Sequence, residues 1–137
     1  MEIYKEKQAL RRDIDLRKKE YSSTTLSDLS LAALSNLEQL EEFRKASHIA
    51  LYHALPGEVE TVRFIEKWEK EKQLYLPFVD GDNLKLLPFT GKSSLSVGSY
   101  GILEPCGAGS DCCKEQIDLL IVPGIAFDRE RNRMGRG

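Results

Sequence analysis

Arginine and glycine alternate at the carboxyl end of the chain, in the sequence Asn-Arg-Met-Gly-Arg-Gly at positions 132–137. Glycine has no Cβ atom, so it lets backbone N–H groups approach an anion closely. Arginine adds charge-assisted hydrogen bonds to phosphate oxygens, and these bonds are often bidentate. The pattern predicts a phosphate-binding loop. Neither a G-x-x-x-x-G-K-[ST] nor a G-x-G-x-x-G signature is present, so the residues alone support only a generic anion site.

Two cations near the amino end are candidate partners for such an anion. Lys7 shares a helical stripe with Ile3, Leu10 and Ile14, which predicts that it lies on or near the inward face of the first helix. Arg11 follows four residues later, so both cations lie on the same side. The alternative is a pair of solvated helix cations in ion pairs with nearby acids, and the spacing alone favours that alternative.

The order of the predicted elements indicates an α/β domain. A second helix begins near Thr25, where Thr25 and Asp28 resemble a capping box, and carries an apolar face to Leu40. The next elements are a predicted strand at 49–53, a helix at 59–72 and a strand at 73–77, which form a βαβ unit. A turn at 81–83 and a further strand at 84–88 follow. The last element is a continuous apolar run at 119–122, which is typical of a central parallel strand.

We therefore expect residues 1–137 to form one α/β domain with a three-layer α/β/α arrangement and a mostly parallel, open, Rossmann-like sheet. The Gly/Ser/Cys-rich stretch at 91–110 is predicted to be a long loop with short β pieces near a site. Open α/β sheets bind ligands at the carboxyl ends of their strands. His53 and Glu58 follow the first predicted strand, and the Arg/Gly loop follows the last, so we expect them to meet.

Composition and cysteine usage exclude several classes. Twenty basic and twenty-two acidic residues leave a net charge of −2, so we expect no nucleic-acid or membrane partner. The charged amino terminus does not resemble a signal peptide, which predicts a cytoplasmic protein, and we expect a monomer. Cys106, Cys112 and Cys113 are odd in number and lack a C-x-x-C pair, so we predict neither a disulfide framework nor a metal site.

Four blocks of sequence together resemble the 5-formyltetrahydrofolate cyclo-ligase family, also called methenyltetrahydrofolate synthetase. They are Lys7-Gln-Ala-Leu-Arg11, Glu58-Val-Glu-Thr61, Tyr100-Gly-Ile-Leu-Glu-Pro105, and the run from Asp118 to Asp128 that leads into 132–137. The order and spacing of the blocks both fit, and the last block is the most specific. The resemblance implies that ATP and Mg²⁺ are used to convert 5-formyltetrahydrofolate into 5,10-methenyltetrahydrofolate, ADP and phosphate.

The resemblance also implies roles for individual residues. Lys7 and Arg11 would contact the ATP phosphates, and Lys7 and Arg136 would supply catalytic positive charge. His53, Glu58, Tyr100 and Arg136 would line the folate site, with Glu58 accepting from pterin N–H groups and Tyr100 stacking on the ring. The ATP loop would begin with Arg133, Met134, Gly135, Arg136 and Gly137.

Each of these assignments has a simpler alternative. Glu58 and Glu60 could be acids in the first turn of a helix, where they complement its dipole. Tyr100 could cover the edge of the core, and a neutral His53 at a strand end is most often structural.

Two departures from the family pattern affect these expectations. Arg131 stands where the family has glycine, and Met134 where it has leucine. The family pattern continues beyond Gly137 with an aspartate that binds Mg²⁺, so we expect the domain to be incomplete at its carboxyl end and its main Mg²⁺ ligand to lie beyond Gly137. The alternative function is a non-catalytic α/β module that binds a nucleotide or a phosphorylated ligand.

Overall fold

Helices dominate the first part of the chain and short strands the second. The computed structural model describes residues 2–98, 101–105 and 114–136. The helices are α1 (Glu2–Lys18), α2 (Ser23–Glu38), α3 (Glu41–Lys45) and α4 (Val62–Trp68). The strands are β1 (His48–Ala50), β2 (Gln73–Asp80), β3 (Asn83–Pro88), β4 (Leu95–Val97), β5 (Leu103–Pro105), β6 (Leu119–Leu120), β7 (Ala126–Phe127) and β8 (Arg133–Met134).

The main sheet has the strand order β3-β2-β1-β6. Strand β1 pairs in parallel with β2, where Ile49 faces Leu74, and with β6, where Ile49 faces Leu119. The segment β1-α4-β2 is thus the predicted βαβ unit. Strand β3 returns antiparallel to β2 through a turn at Gly81, whose φ of +62° suits glycine. The prediction of an α/β fold with a mostly parallel sheet is confirmed.

The core lies where the sheet meets α3 and α4. Strands β1 and β2 are buried because their side chains are apolar on both faces, as in a covered parallel sheet. The rings of Phe43, Phe64 and Trp68 pack against one another, with the Phe43 and Trp68 centroids 5.0 Å apart at 79°. The large apolar side chains that are fully buried here include Phe43, Ile49, Leu51, Leu74, Leu76 and Leu87.

Helix α2 begins three residues earlier than the predicted capping box. The Ser22 hydroxyl accepts a hydrogen bond from the backbone N–H of Thr25 at 3.1 Å, so Ser22 is the N-cap. The buried residues of the helix are Ser30 and Leu34, and the predicted apolar face is wrong at Leu29 and Leu40, which are half exposed.

Helix α1 has no buried residue, and its inward face differs from the predicted one. Lys7 is exposed, so the expectation that it lies on the packed side is wrong. The half-buried side chains are Gln8, Arg11, Ile14 and Lys18, which follow helical spacing around a different stripe. The stripe differs because polar contacts, and not apolar burial, attach α1 to the rest of the chain.

Helix α4 is shorter than the predicted helix over 59–72 at both ends. Before it, the Thr61 hydroxyl donates to Tyr52 O at 2.8 Å and accepts from Ala54 N at 3.1 Å, which ties the segment to the loop after β1. After it, Lys72 N still donates to Trp68 O at 2.9 Å, while Lys72 Nζ donates to Ala46 O at 2.6 Å and Phe43 O at 3.0 Å. Tertiary contacts therefore hold the segments on both sides of this short helix.

Strand β6 is shorter than predicted and lies at an edge of the sheet among the described residues, not at its centre. Ile121 N still donates to Ala50 O at 2.8 Å, but the strand then reaches Pro123, which has no N–H group to extend the pairing. The apolar run predicted a buried central strand, and this prediction is wrong for the described sheet, because Leu120 is 55% exposed.

Asp118 joins β6 to β1. Its Oδ2 accepts hydrogen bonds from the backbone N–H groups of Ser47 at 2.8 Å and His48 at 3.0 Å, while Asp118 N donates to His48 O at 2.8 Å. The hydrogen bonds from the His48 and Ser47 amides hold the pKa of Asp118 below its usual value. The ionised carboxylate therefore stabilises the pairing of the two strands.

We expect Asp118→Asn to reduce stability at neutral pH but not in strong acid. Because the folded-state pKa is lowered, the contribution is present at neutral pH and is lost as the pH falls below about 4. Urea unfolding should give a lower midpoint for the variant at pH 7 and a smaller gap at pH 3. Asp82→Asn, in the exposed β2–β3 turn, is the control. An equal gap at both pH values would contradict the prediction.

Candidate functional site

A cavity of about 330 Å³ opens where the chain leaves the carboxyl ends of β1, β2 and β6. Apolar side chains form much of its wall, and two acids and two arginines also line it. The lining residues are Tyr52, His53, Leu55, Glu58, Pro77, Val79, Leu84, Ile102, Glu104, Pro123, Gly124, Arg133, Gly135 and Arg136. A larger concavity of about 520 Å³ lies between α2 and α4, but it contains none of the predicted site residues that the structure describes.

Five of the eight predicted site residues that the structure describes line this cavity. His53, Glu58, Arg133, Gly135 and Arg136 all line it. Met134 lies in β8 between two of them, and Arg11 reaches the loop from α1. Lys7 is one turn from Arg11 and is exposed, without a described contact to the cavity. Tyr100, Gly137 and the three cysteines lie outside the described residues.

Arg11 fixes the Arg/Gly loop. Its Nε donates to Gly135 O at 3.0 Å across 124 residues of sequence. Ile125 N donates to Met134 O at 2.7 Å and continues the antiparallel pairing of β7 with β8. The loop is therefore held from both sides, by a helix side chain and by a strand.

Asp128 organises the hairpin that precedes the loop. Its Oδ1 accepts from the backbone N–H groups of Asn132 at 2.8 Å and Glu130 at 2.9 Å, and its Oδ2 accepts from Asn132 Nδ2 at 2.8 Å. The hydrogen bonds from Asn132 are the main reason that the pKa of Asp128 is lowered. An ionised Asp128 thus closes the turn and sets the direction in which Arg133 and Arg136 leave it.

The two arginines of the loop have different surroundings. Arg133 Nη1 donates to Pro123 O at 2.7 Å, so this guanidinium bridges β8 and the loop that follows β6. A Cβ atom at Gly135 would lie 3.1 Å from the same Nη1, and one at Gly124 would lie 2.5 Å from Phe127 Cζ. The glycines therefore make room for the bridge. Arg136 is exposed at the cavity and is placed to meet an incoming anion.

Glu58 belongs to a tight turn and not to a helix. Its Oε1 accepts from Leu55 N at 2.7 Å, and its own N–H donates to Leu55 O at 3.1 Å. Gly57 has a φ of +90°, and its carbonyl accepts from Lys18 Nζ at 2.8 Å. Helix α4 starts only at Val62, whose N–H donates to Glu60 Oε1 at 2.8 Å. The helix-end alternative therefore applies to Glu60, and Glu58 faces the cavity.

His53 and Tyr52 form the wall that follows β1. Burial lowers the pKa of His53, against an opposing effect of Glu60, so the imidazole is neutral at pH 7. Burial, together with the charges of Glu58 and Glu60, raises the pKa of Tyr52 to about 12. The Tyr52 hydroxyl donates to Val59 O at 2.9 Å. This wall therefore offers neutral polar groups and aromatic surface, and its proton donors are weak acids.

Sequence reasoning missed Tyr52 and Glu104 as cavity residues. Tyr52 directly precedes His53, so its position after β1 was an available signal. Glu104 is only 5% exposed, and its Oε2 accepts from Val79 N at 2.8 Å. A charged residue inside the apolar run Ile-Leu-Glu-Pro is the signal for a buried carboxylate, although the partner Val79 lies 25 residues away and cannot be read from the sequence.

The described residues contain neither a cluster of metal ligands nor a helix suited to a membrane. Across residues 2–98, 101–105 and 114–136, no three His, Cys, Asp or Glu side chains come together in a group that could hold a metal ion. In the same ranges, no helix combines the length and the apolar character that crossing a bilayer requires.

Comparison with known proteins gives one family. The sequence profile of the 5-formyltetrahydrofolate cyclo-ligase family matches residues 3–137. The chain is 31% identical over 114 residues to the probable 5-formyltetrahydrofolate cyclo-ligase of Schizosaccharomyces pombe, covering 79% of this chain and 56% of the relative. It is 32% identical over 110 residues to 5-formyltetrahydrofolate cyclo-ligase from Haemophilus influenzae, covering 77% and 57%. The chain thus spans little more than half the length of these relatives.

Solved structures give the same result. The 5,10-methenyltetrahydrofolate synthetase of Aquifex aeolicus superposes with a TM-score of 0.84 at 37% identity, over 96% of this chain and 67% of the other. A 5,10-methenyltetrahydrofolate synthetase from Mycoplasma pneumoniae gives a TM-score of 0.70 at 22% identity, over 96% and 71%, which supports the fold. The chain belongs to the 5-formyltetrahydrofolate cyclo-ligase family.

Proposed function

We propose that this protein takes part in the ATP-dependent cyclisation of 5-formyltetrahydrofolate to 5,10-methenyltetrahydrofolate, with release of ADP and phosphate. The observation that carries the proposal is the cavity itself. It brings the cations of the Arg/Gly loop, Arg133 and Arg136, to the same space as His53 and Glu58 from the β1 side. One side suits phosphate, and the other suits a flat ring with N–H donors.

The phosphate side would use Arg11, Arg136 and the backbone of Gly135. The guanidinium of Arg11 has five N–H donors, and the bond to Gly135 O uses one of them, so the others can meet phosphate oxygens. Arg133 through Gly137 would begin the ATP loop. Lys7 is exposed one helical turn from Arg11, so its role requires its long side chain to extend toward bound ATP.

The folate side would use Glu58, His53 and Tyr100. The carboxylate of Glu58 is held by the turn from Leu55, so it can accept from pterin N–H groups without first becoming ordered. A neutral His53 can donate or accept a hydrogen bond without adding charge. Tyr100 would stack on the ring.

The proposed reaction has two steps. The formyl oxygen attacks the γ-phosphorus of ATP, the bond to the bridging oxygen breaks, and ADP leaves, which converts a poor leaving group into a phosphate ester. The N10 amine then attacks the formyl carbon and loses its proton to the departing phosphate, the carbon–oxygen bond breaks, and phosphate leaves as the ring closes. Positive charge from Arg136, Arg11 and Lys7 would offset the charge that develops during transfer.

Mg²⁺ accompanies ATP in the family. Among the described residues, no three His, Cys, Asp or Glu side chains form a group that could hold a metal ion, so the ATP phosphates would supply most of the ligands of this ion. The roles proposed above for Arg11, Arg136, Glu58 and His53 do not depend on how this ion is held.

A second function is a binding module without turnover. The observation that favours it is that the cavity by itself, with Arg136 on one side and Glu58 on the other, could bind a phosphorylated ligand. The absorbance of methenyltetrahydrofolate, followed after mixing the chain with 5-formyltetrahydrofolate, ATP and Mg²⁺, separates the two functions. Turnover supports the enzyme, and ATP binding without turnover supports the module.

We expect Arg136→Ala to impair the nucleotide site much more than the fold. Loss of one cation that faces developing charge lowers kcat/KM by about 100-fold in comparable sites. An exposed loop side chain contributes little to stability, so the free energy of unfolding should change by less than about 0.5 kcal/mol. Turnover and urea unfolding are measured on the same samples. If the chain binds ATP without turnover, the affinity for ATP replaces turnover as the measured quantity. Arg129→Ala, in the exposed turn, is the control. A parallel loss of stability and function would contradict the role.

We expect Arg11→Met to weaken ATP binding by about 10-fold, because the variant loses both a phosphate donor and the bond that holds Gly135. Isothermal titration with a non-hydrolysable ATP analogue measures the affinity. Arg12→Met changes the neighbouring exposed arginine of α1 and should leave the affinity unchanged. Equal affinities of the two variants for the ATP analogue would show that Arg11 does not contribute to the nucleotide site.

A further inference from the structure

Glu104 is a buried acid in a wall that is otherwise mostly apolar. It lies in β5, is 5% exposed, and lines the cavity together with Pro77, Val79 and Ile102. Burial of a carboxylate in such surroundings is unfavourable unless hydrogen bonds compensate for the lost hydration. A glutamine or an apolar residue would fill the same space at lower cost. The position therefore calls for a reason beyond packing.

The one described hydrogen bond to Glu104 places its carboxylate. Oε2 accepts from Val79 N at 2.8 Å, near the end of β2. Strand β5 pairs with β4, where Glu104 faces Ser96, so the backbone on one side and the amide on the other fix the side chain. A carboxylate has about four acceptor positions, and the Val79 amide uses one of them.

Gly98 makes the space for the other carboxylate oxygen. A Cβ atom at this position would lie 1.7 Å from Glu104 Oε1 and 2.1 Å from its Cδ, distances that no side chain can adopt. Any residue other than glycine would therefore displace the carboxylate. The chain provides a site shaped around this acid, with its carboxylate at the cavity wall.

We propose that Glu104 is a second substrate-binding carboxylate, which accepts hydrogen bonds from the 2-amino and ring N–H groups of the pterin. This inference rests on the proposed function, since it names a further contact in the same cavity. The 2-amino-4-oxopyrimidine edge of 5-formyltetrahydrofolate presents adjacent N–H donors, which the acceptor positions not used by Val79 N could meet. Glu58 meets the substrate from the turn after β1, while Glu104 meets it from the β2 side.

The role predicts a specific dependence on the substrate. Glu104→Gln keeps an oxygen for Val79 N but replaces the other oxygen with an NH₂ group, which places a donor against the donors of the pterin. We expect the affinity for 5-formyltetrahydrofolate to fall by about 10- to 100-fold, the usual effect of losing charge-assisted hydrogen bonds. The affinity for a non-hydrolysable ATP analogue and the urea midpoint should stay close to those of the unchanged protein.

The test compares two ligands by isothermal titration of the full chain. One is 5-formyltetrahydrofolate, and the other is its analogue without the 2-amino group. The loss caused by Glu104→Gln should be large for the first ligand and several-fold smaller for the second, because the analogue lacks a donor that the carboxylate would accept. Glu71→Gln, an exposed acid after α4, is the control and should change neither affinity.

The outcomes are distinct. Equal losses for both ligands, or a fall in the urea midpoint that matches the loss of affinity, would show that Glu104 only supports the fold and would overturn the inference. If Glu104→Gln left the affinity for both ligands the same, the inference would be overturned as well. The proposed function would still stand in that case, provided that the protein without the substitution binds 5-formyltetrahydrofolate. If the unchanged protein bound neither ligand, both the proposed function and this inference would fall.

Discussion

The contact between Asp118 and the first residues of β1 is the constraint on which the site depends. One carboxylate oxygen accepts from the Ser47 and His48 amides, and the pairing of β6 with β1 follows directly from this point. A shift of the register by one residue would turn every side chain of the strand to the other face of the sheet. The contact therefore fixes where the chain leaves both strands. The loop after β6 and the residues His53 and Glu58 after β1 therefore meet at one edge of the sheet.

Polar contacts, and not burial, connect α1 to that edge. Helix α1 has no buried residue, yet Arg11 reaches Gly135 and Lys18 reaches Gly57, which are the two loops on opposite sides of the cavity. A helix held in this way contributes little to the core and much to the positions of the loops. It also brings Arg11 to the loop backbone while leaving part of its guanidinium available for phosphate.

The sequence predicted well the features that depend on local patterns. The βαβ unit and the turn at Gly81 followed from apolar runs and turn residues. It predicted poorly the features set by distant contacts. The inward face of α1 was wrong because apolar spacing does not reveal a helix held by Arg11 and Lys18. The length of α4 was wrong because Thr61 and Lys72 bind other segments. The cavity position of Glu104 depends on Val79 and Gly98, which no local pattern connects to it.

In the hairpin of β7 and β8, as at Asp118, an aspartate carboxylate accepts hydrogen bonds from two backbone amides. Asp128 closes the turn through the amides of Glu130 and Asn132, and Arg131 between them adopts a φ of +71°, a region that costs a non-glycine residue about 1 kcal/mol. Three hydrogen bonds to Asp128, from the amides of Glu130 and Asn132 and from Asn132 Nδ2, hold the turn in this conformation and offset the strain. The direction of the loop is therefore set by the aspartate.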